Sequence, residues 1–286
     1  MIKLKKKKKF CLELNSHSLS DYQMCEKRFQ YNFINNYQSK ETHYPFKRGA
    51  AIAKYLFYWY EARLRRYDNN KLRAFEDKLF KRMIKDDSFY DPKWEQDDKL
   101  LIASRLMGYF NKYRNETYQI ISVEKGFSKV IFENEYSYFI YSGRPDLVVD
   151  FGRYGIGPID HKSESRENNL ASFQNQFVGY CWAIGSQIGL VNYIGLQKDF
   201  KEGDILRRTF FTFTPSQINK WKSDTIKWYR KIAQSVANKD FTRSWRCEGK
   251  YGICMYYAVC TAGTEKEELI QLERNFNKAE KPYRSW

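Results

Sequence analysis

The sequence predicts an α/β fold. Three observations carry this: helical periodicity through most of the first 115 residues, five successive β-favouring runs between 117 and 161, and a helix, two strands and a helix after them. With 286 residues, 42% of them hydrophobic and 18% aromatic, the chain is long enough to bury a core and is not a disordered or fibrous composition.

The elements are expected in this order. A helix runs from Ser18 to about Tyr37, with Ser18 and Ser20 as N-cap candidates and Tyr22, Phe29, Tyr31 and Phe33 among its large residues. Helices follow at 48–66, 71–86 and 95–114, broken at Asp91-Pro92. Strands are expected at 117–124, 128–133, 137–142, 145–151 and 156–161, then a helix at 168–184, strands at 189–196 and 207–213, and a helix from Pro215 to about Ala237. No repeat and no long linker divides the chain. The division expected is a basic N-terminal arm at 1–16, a mainly helical region at 17–115 contributing Cys25, a core at 116–240, and a cysteine-bearing segment with a charged helix at 241–286. This last segment is expected to pack with the N-terminal region as one body.

The chemistry concentrates in Gly143-Arg144-Pro145-Asp146 and Ile159-Asp160-His161-Lys162, which flank a glycine-bounded turn. In a strand, residues i and i+2 share a face roughly 6.6 Å apart, so Asp160 and Lys162 project together and His161 projects away. A hairpin centred on Arg153 sets Asp146 opposite Asp160, with β-carbons about 5 Å apart. Like charges so placed need neutralising, and a divalent cation with oxygen ligands, Mg²⁺ or Mn²⁺, does this economically. A lone D-x-K matches often by chance; the apposed Asp146, the turn and the following helix make this one more specific.

Together with Gln176-x-x-x-Tyr180, whose spacing puts both side chains on one helical face, these motifs resemble the successive motifs of the PD-(D/E)XK nuclease superfamily, in its RecB-like branch. The resemblance implies a restriction-endonuclease-like mixed central sheet flanked by helices. It further implies Asp146, Asp160 and the His161 carbonyl as metal ligands, Lys162 as the catalytic lysine, and Gln176 and Tyr180 as residues placing DNA and catalytic groups. Glu124, in Ser122-Val123-Glu124-Lys125, resembles the glutamate preceding the core strands. The family's G-x-x-x-H helix aligns with Arg48-Gly49-Ala50-Ala51-Ile52-Ala53, which ends in alanine and so lacks the imidazole that completes the metal site. His43, six residues before Gly49, reaches that place only if its loop folds back.

Six cysteines stand at 11, 25, 181, 247, 254 and 260. Without a secretory signal they are expected reduced. Cys247, Cys254 and Cys260 cluster locally, and thiolates in fours bind zinc or an iron–sulfur cluster. One N-terminal cysteine, Cys25, with three near the C-terminus resembles the iron–sulfur members of the same branch, among them CRISPR-associated RecB-like exonucleases, AddB-type helicase–nuclease subunits and phage relatives. That implies a [4Fe–4S] cluster at Cys25, Cys247, Cys254 and Cys260, with zinc as the alternative. The x6 gap between Cys247 and Cys254 departs from the familiar spacing. Cys11 and Cys181 read as free thiols.

Lysine and arginine exceed aspartate and glutamate by 50 to 34, a net charge of +16 that suits a polyanion, although codon bias alone also yields lysine-rich chains. Three histidines far apart (His17, His43, His161) exclude sites built on clustered histidines. No apolar stretch reaches the length of a membrane span, and the basic MIKLKKKKK start lacks the apolar segment of a signal peptide, so a cytoplasmic protein is expected. The expected function is a metal-dependent DNA exonuclease acting at single-stranded ends, with DNA and a replication or recombination protein as partners. The competing readings are an inactive nuclease-fold protein that binds DNA ends or a recombination partner, and a zinc-stapled binding module.

Overall fold

A computed structural model describes residues 9–40, 44–86, 96–164, 174–196, 205–245, 247–249 and 252–279. Within it the chain forms two compact units, residues 43–126 with 144–219, and residues 1–42 with 127–143 and 220–286. The expected break at Asp91-Pro92, the first residues of the helix expected at 168–184 and most of the lysine run lie outside the described residues.

The first unit is a five-stranded mixed sheet with helices. Its helices are α3 (Tyr44–Leu64), α4 (Asn69–Lys85), α5 (Gln96–Tyr113) and α6 (Gln174–Ile184); its strands are β3 (Gln119–Val123), β6 (Leu147–Asp150), β7 (Ile156–Glu164), β8 (Ile188–Gly195) and β9 (Leu206–Thr212). The strand order is β3-β6-β7-β8-β9. β6 and β7 pair antiparallel with Leu147 opposite Ile159 and Asp150 opposite Ile156, the register centred on Arg153. β7 and β8 pair parallel, which requires a crossover, and α6 lies in it. Gly157 is there of necessity: a Cβ would collide with the Ile188 carbonyl oxygen. Helices α3 and α5 share an aromatic core, Trp59 stacking on Phe110 at 4.9 Å between centroids beside fully buried Tyr60 and Tyr109. Leu147, Val149, Ile159, Leu190 and Ile194 supply the sheet's part of the same core.

The second unit joins the two chain ends. β1 (Phe10–Leu14) runs parallel to β5 (Ser137–Gly143), which pairs antiparallel with β4 (Phe127–Glu133). Two expectations are corrected here. Residues 10–14, read as part of a basic arm, are a strand, because the lysine run obscured the alternation in Phe10-Cys11-Leu12-Glu13-Leu14. The strands at 127–143, read as part of the core at 116–240, belong to this separate sheet, since periodicity identifies strands without naming partners. Helix α7 (Pro215–Asn238) supplies Tyr229, which stacks on Phe139 at 5.1 Å and donates its hydroxyl proton between the carbonyls of Leu14 and Ile140.

The helix expected from Ser18 to Tyr37 is also corrected. It is α1 (Ser16–Met24), α2 (Glu26–Phe29), a π-helical turn at Gln30–Ile34 and β2 (Tyr37–Ser39). Asn15, not Ser18 or Ser20, is the cap: its side chain accepts from the Ser18 amide at 2.9 Å, and Ser18 Oγ accepts from the Asn15 amide at 2.8 Å. Cys25 breaks the helix in extended conformation (φ −163°, ψ 116°). Beyond it come β10 (Glu248–Gly249), β11 (Gly252–Ile253), α8 (Tyr257–Cys260), α9 (Glu265–Asn275) and β12 (Phe276–Lys278), which pairs antiparallel with β2. Tyr31, Tyr256 and Phe276 fill the core between them, and the Tyr256 hydroxyl donates to Asn32 Oδ1 at 2.5 Å and lies 2.9 Å from the Tyr37 carbonyl oxygen.

Candidate active site

The β6–β7 register, continued one pair outward, sets Asp146 beside Asp160, and the surrounding contacts fix both. Asp146 Oδ2 accepts the His161 backbone N–H at 2.6 Å. Asp160, 4% exposed, has Lys162 Nζ 2.5 Å from its Oδ2 and receives Gln176 Nε2 on Oδ1 at 3.2 Å. Gln176 is the hub of the site. Its Oε1 accepts from Lys162 Nζ at 3.2 Å, and its Nε2 also reaches the Tyr180 hydroxyl at 2.8 Å. That hydroxyl donates to the Arg144 carbonyl at 3.1 Å, tying α6 back to the segment carrying Asp146. Alternation along β7 directs Asp160 and Lys162 toward α6, and His161 toward α3, where its ring stacks on Tyr60 at 5.3 Å.

Glu124 joins this group. A register shift between Ile120 and Ser122 adds a residue to β3, and Glu124 follows the strand in the left-handed region at φ 41°. That conformation costs a non-glycine residue about 1–3 kcal/mol. The Glu124 amide donates to the Asp146 carbonyl at 2.8 Å, and its carboxylate lies 3.5 Å from Arg144. A small cavity between α3 and the strand ends is lined by Ala53, Glu124, Asp146 and His161, among others.

Burial dominates the electrostatics. It raises the Asp146 carboxyl to about 6 against the lowering effects of the His161 amide and Lys162, and it raises Asp160 against Lys162. It raises Glu124 too, opposed by Arg144, and depresses the His161 imidazole to about 4, which leaves it neutral at pH 7. Carboxylates held at such a cost favour a partner of positive charge.

The four cysteines of the expected cluster, Cys25, Cys247, Cys254 and Cys260, line one cavity of about 290 Å³ within the unit that joins the chain ends. The extended break at Cys25 turns that residue out of the helical run, and the Cys254 amide donates to the Cys247 carbonyl at 2.6 Å. Burial pushes the Cys254 thiol up and that of Cys260 to about 11. Among the described residues no group of three or more His, Cys, Asp or Glu side chains stands at the spacing of a metal site. Cys11 is exposed and Cys181 buried, both unbridged.

Sequence reasoning did not reach the polar layer behind His161. Asn192, wholly buried, lies 3.0 Å through Nδ2 from His161 Nδ1 and 2.8 Å from the Tyr109 hydroxyl, which in turn meets Tyr60 and Arg208. Glu116 receives both Arg208 and Arg63. The partners come from five separate segments, so no local spacing announces them.

The mixed sheet, flanking helices and hairpin-borne carboxylates define a restriction-endonuclease-like fold. The chain belongs to the PD-(D/E)XK nuclease superfamily, whose family model matches residues 13–261. Among solved structures it is similar to that of SSO0001, at 16% identity and a TM-score of 0.32, over 54% of this chain and 69% of that one. It is also similar to a phage related exonuclease from Haemophilus somnus 129PT, at 12% identity and a TM-score of 0.29, over 59% of this chain and 85% of the other. No curated protein matches it. Among the described residues no helix is long and apolar enough to cross a membrane.

Proposed function

We propose that the chain is a divalent-metal-dependent deoxyribonuclease that hydrolyses phosphodiester bonds from single-stranded DNA ends. The observation that carries this is the convergence of Asp146, Asp160, Lys162 and Gln176 at one end of the β6–β7 hairpin. The fit for Mg²⁺ or Mn²⁺ rests on donor chemistry: buried carboxyls with raised pKa values are relieved by a hard cation with oxygen preference. Asp146, Asp160 and the His161 carbonyl would hold the ion, with Glu124 nearby. Such an ion supplies Lewis-acid polarisation of the phosphate and a lowered pKa for water.

The chain's own residues do the rest. Lys162 offers positive charge beside the reacting phosphate, where charge develops in the transition state. Gln176 fixes Lys162 and Asp160 relative to each other, and Tyr180 fixes Gln176 against the Arg144 carbonyl. The +16 charge supplies sequence-independent affinity for the backbone, and aromatic side chains supply stacking surface for bases.

A [4Fe–4S] cluster at Cys25, Cys247, Cys254 and Cys260 belongs to the same proposal. Four cysteines lining one cavity supply the donor set of a soft, thiolate-bound group, with zinc as the alternative occupant. A replication or recombination protein is the proposed protein partner, and the cytoplasm the proposed location. Ala53 favours a second reading, a DNA-end-binding accessory protein without cleavage, because a side chain that would complete the metal site is missing.

One assay separates the two: anaerobically purified chain incubated with end-labelled single- and double-stranded DNA in Mg²⁺, Mn²⁺ or EDTA. Metal-dependent shortening from the ends of single strands is expected. Binding without cleavage in either metal supports the accessory reading instead.

A further inference from the structure

β7 and β8 run parallel, so no tight turn between them fixes their alignment. That alignment matters, because the two halves of the site meet across it. Asp160 and Lys162 belong to the β6–β7 hairpin, whereas Gln176 and Tyr180 lie on α6, which is tied to β8. Only Gly185, Ser186 and Gln187 join α6 to β8. The amides of the first two donate to the Cys181 carbonyl at 2.9 Å, and Ser186 Oγ donates to the Ile188 carbonyl at 2.8 Å. Phe177 of α6 stacks on Phe211 of β9 at 4.6 Å, which adds β9 to the same block.

On the opposite face of the sheet a row of polar residues crosses this junction. His161 stands opposite Asn192, and Asn192 opposite Arg208, straight across β7, β8 and β9. Around the row lie Ile159, Leu190, Ile194 and Leu206 of the apolar core. Asn192 Nδ2 is 3.0 Å from His161 Nδ1 and 2.8 Å from the Tyr109 hydroxyl, which Arg208 Nη2 approaches at 3.3 Å. A slide of β8 by one residue would break the match of faces. A slide by two keeps the faces, and the apolar residues alone would accept it. It would set His161 against Leu190 or Ile194 and strand buried polar groups, the penalty by which a buried polar residue specifies register. Close approaches at Gly157 and Gly189 hold the first residues of the pairing, and the polar row holds the part beside Asp160 and Lys162.

Building on the nuclease reading, we infer that Asn192 is a positioning residue: through the His161 side chain it sets the α6 half of the site, Gln176 and Tyr180, against the hairpin half, Asp160 and Lys162. The imidazole of His161, which the mechanism above leaves unused, is the hairpin's side of this contact. Tyr109 orients Asn192 from α5. Gln176 then meets Lys162 Nζ and Asp160 Oδ1, both at 3.2 Å, because the row behind them is in register.

The test replaces the pair together, His161→Leu with Asn192→Leu, in the full chain. Both polar partners leave at once and the layer becomes apolar, so the variant should fold and melt close to wild type. Its kcat should fall by about tenfold or more with KM unchanged, since misplacement of about 1 Å can cost about 10². In a Gln176→Ala background the same pair should cost little further, because both changes act through one geometry. A second readout needs no cleavage: the distance between nitroxide labels carried by non-canonical residues in place of Lys125 and Gln174, exposed sites after β3 and at the start of α6. The leucine pair should broaden or shift that distance, up to the roughly 6.6 Å of a two-residue slide. A distribution as narrow as that of wild type, or a cleavage loss that multiplies with that of Gln176→Ala, would overturn the inference and leave the nuclease reading standing. Wild-type protein that does not cleave would end the nuclease reading, and the label distance would still decide the alignment. Tyr109→Phe, which deletes the hydroxyl that orients Asn192, should move kcat and label distance in the same direction and carries the test if the leucine pair fails to fold.

Discussion

At the scale of single residues the site separates charge from position. Asp160 and Lys162 touch each other and both touch Gln176, yet their expected losses differ in kind. If Asp160 holds the proposed cation, Asp160→Ala should abolish cleavage and weaken Mn²⁺ binding together. In the role proposed for Lys162, stabilising developing charge, Lys162→Ala should lower cleavage by about 10²–10³ while Mn²⁺ affinity is kept. Parallel cleavage and dialysis measurements check this pair. Cleavage that survives Asp160→Ala would mean another site. Gln176→Ala leaves both groups in place but loose, and should lower kcat by about tenfold or more, because misplacement of about 1 Å can cost about 10². A kcat unchanged by that substitution would remove Gln176 from the machinery.

At the scale of elements, the hairpin register was legible because two aspartates equidistant from a glycine-bounded turn admit few pairings, and β6–β7 adopts that register. The helix carrying Gln176 and Tyr180 was expected at 168–184, and their four-residue spacing placed both on one of its faces. What the sequence withheld was tertiary. β1 hid behind lysines, β4 and β5 look no different from core strands, and the Asn192–His161–Tyr109 layer joins residues up to 83 positions apart. Two predictions belong here. Tyr229→Phe removes the hydroxyl that reaches carbonyls of both β1 and β5, and should cost about 1 kcal/mol in denaturant unfolding. Ala53→His places an imidazole from α3 into the cavity beside Glu124 and Asp146, and should tighten Mn²⁺ binding measured by dialysis. Unchanged affinity would show that α3 stands too far from the ion.

At the scale of the whole molecule two properties bear on the proposed function, the charge and the pairing of the stretches near the two termini. With a net charge of +16, affinity for single-stranded DNA should fall with salt by roughly 0.7 log units per log unit for each phosphate neutralised. A flat response in a filter-binding titration would remove charge as the driver. The stretches around residues 31–39 and 256–278 meet through β2 and β12 and through the packing of Tyr31 on Tyr256, 4.9 Å between centroids, a small core for a unit assembled from three stretches of chain. If the four cysteines lining one cavity within it hold the proposed cluster, that cluster has a structural role, because ligand binding to the folded state alone is folding free energy. Anaerobically purified protein should therefore be brown, and Cys254→Ser should lose iron and melt at lower temperature. Each 1 kcal/mol lost lowers Tm by about 2–4 °C in a domain of this size. Iron analysis beside calorimetry decides the matter. A colourless protein with stoichiometric zinc would assign the thiols to that ion, and equal melting of iron-loaded wild type and iron-free Cys254→Ser would separate the cluster from the fold.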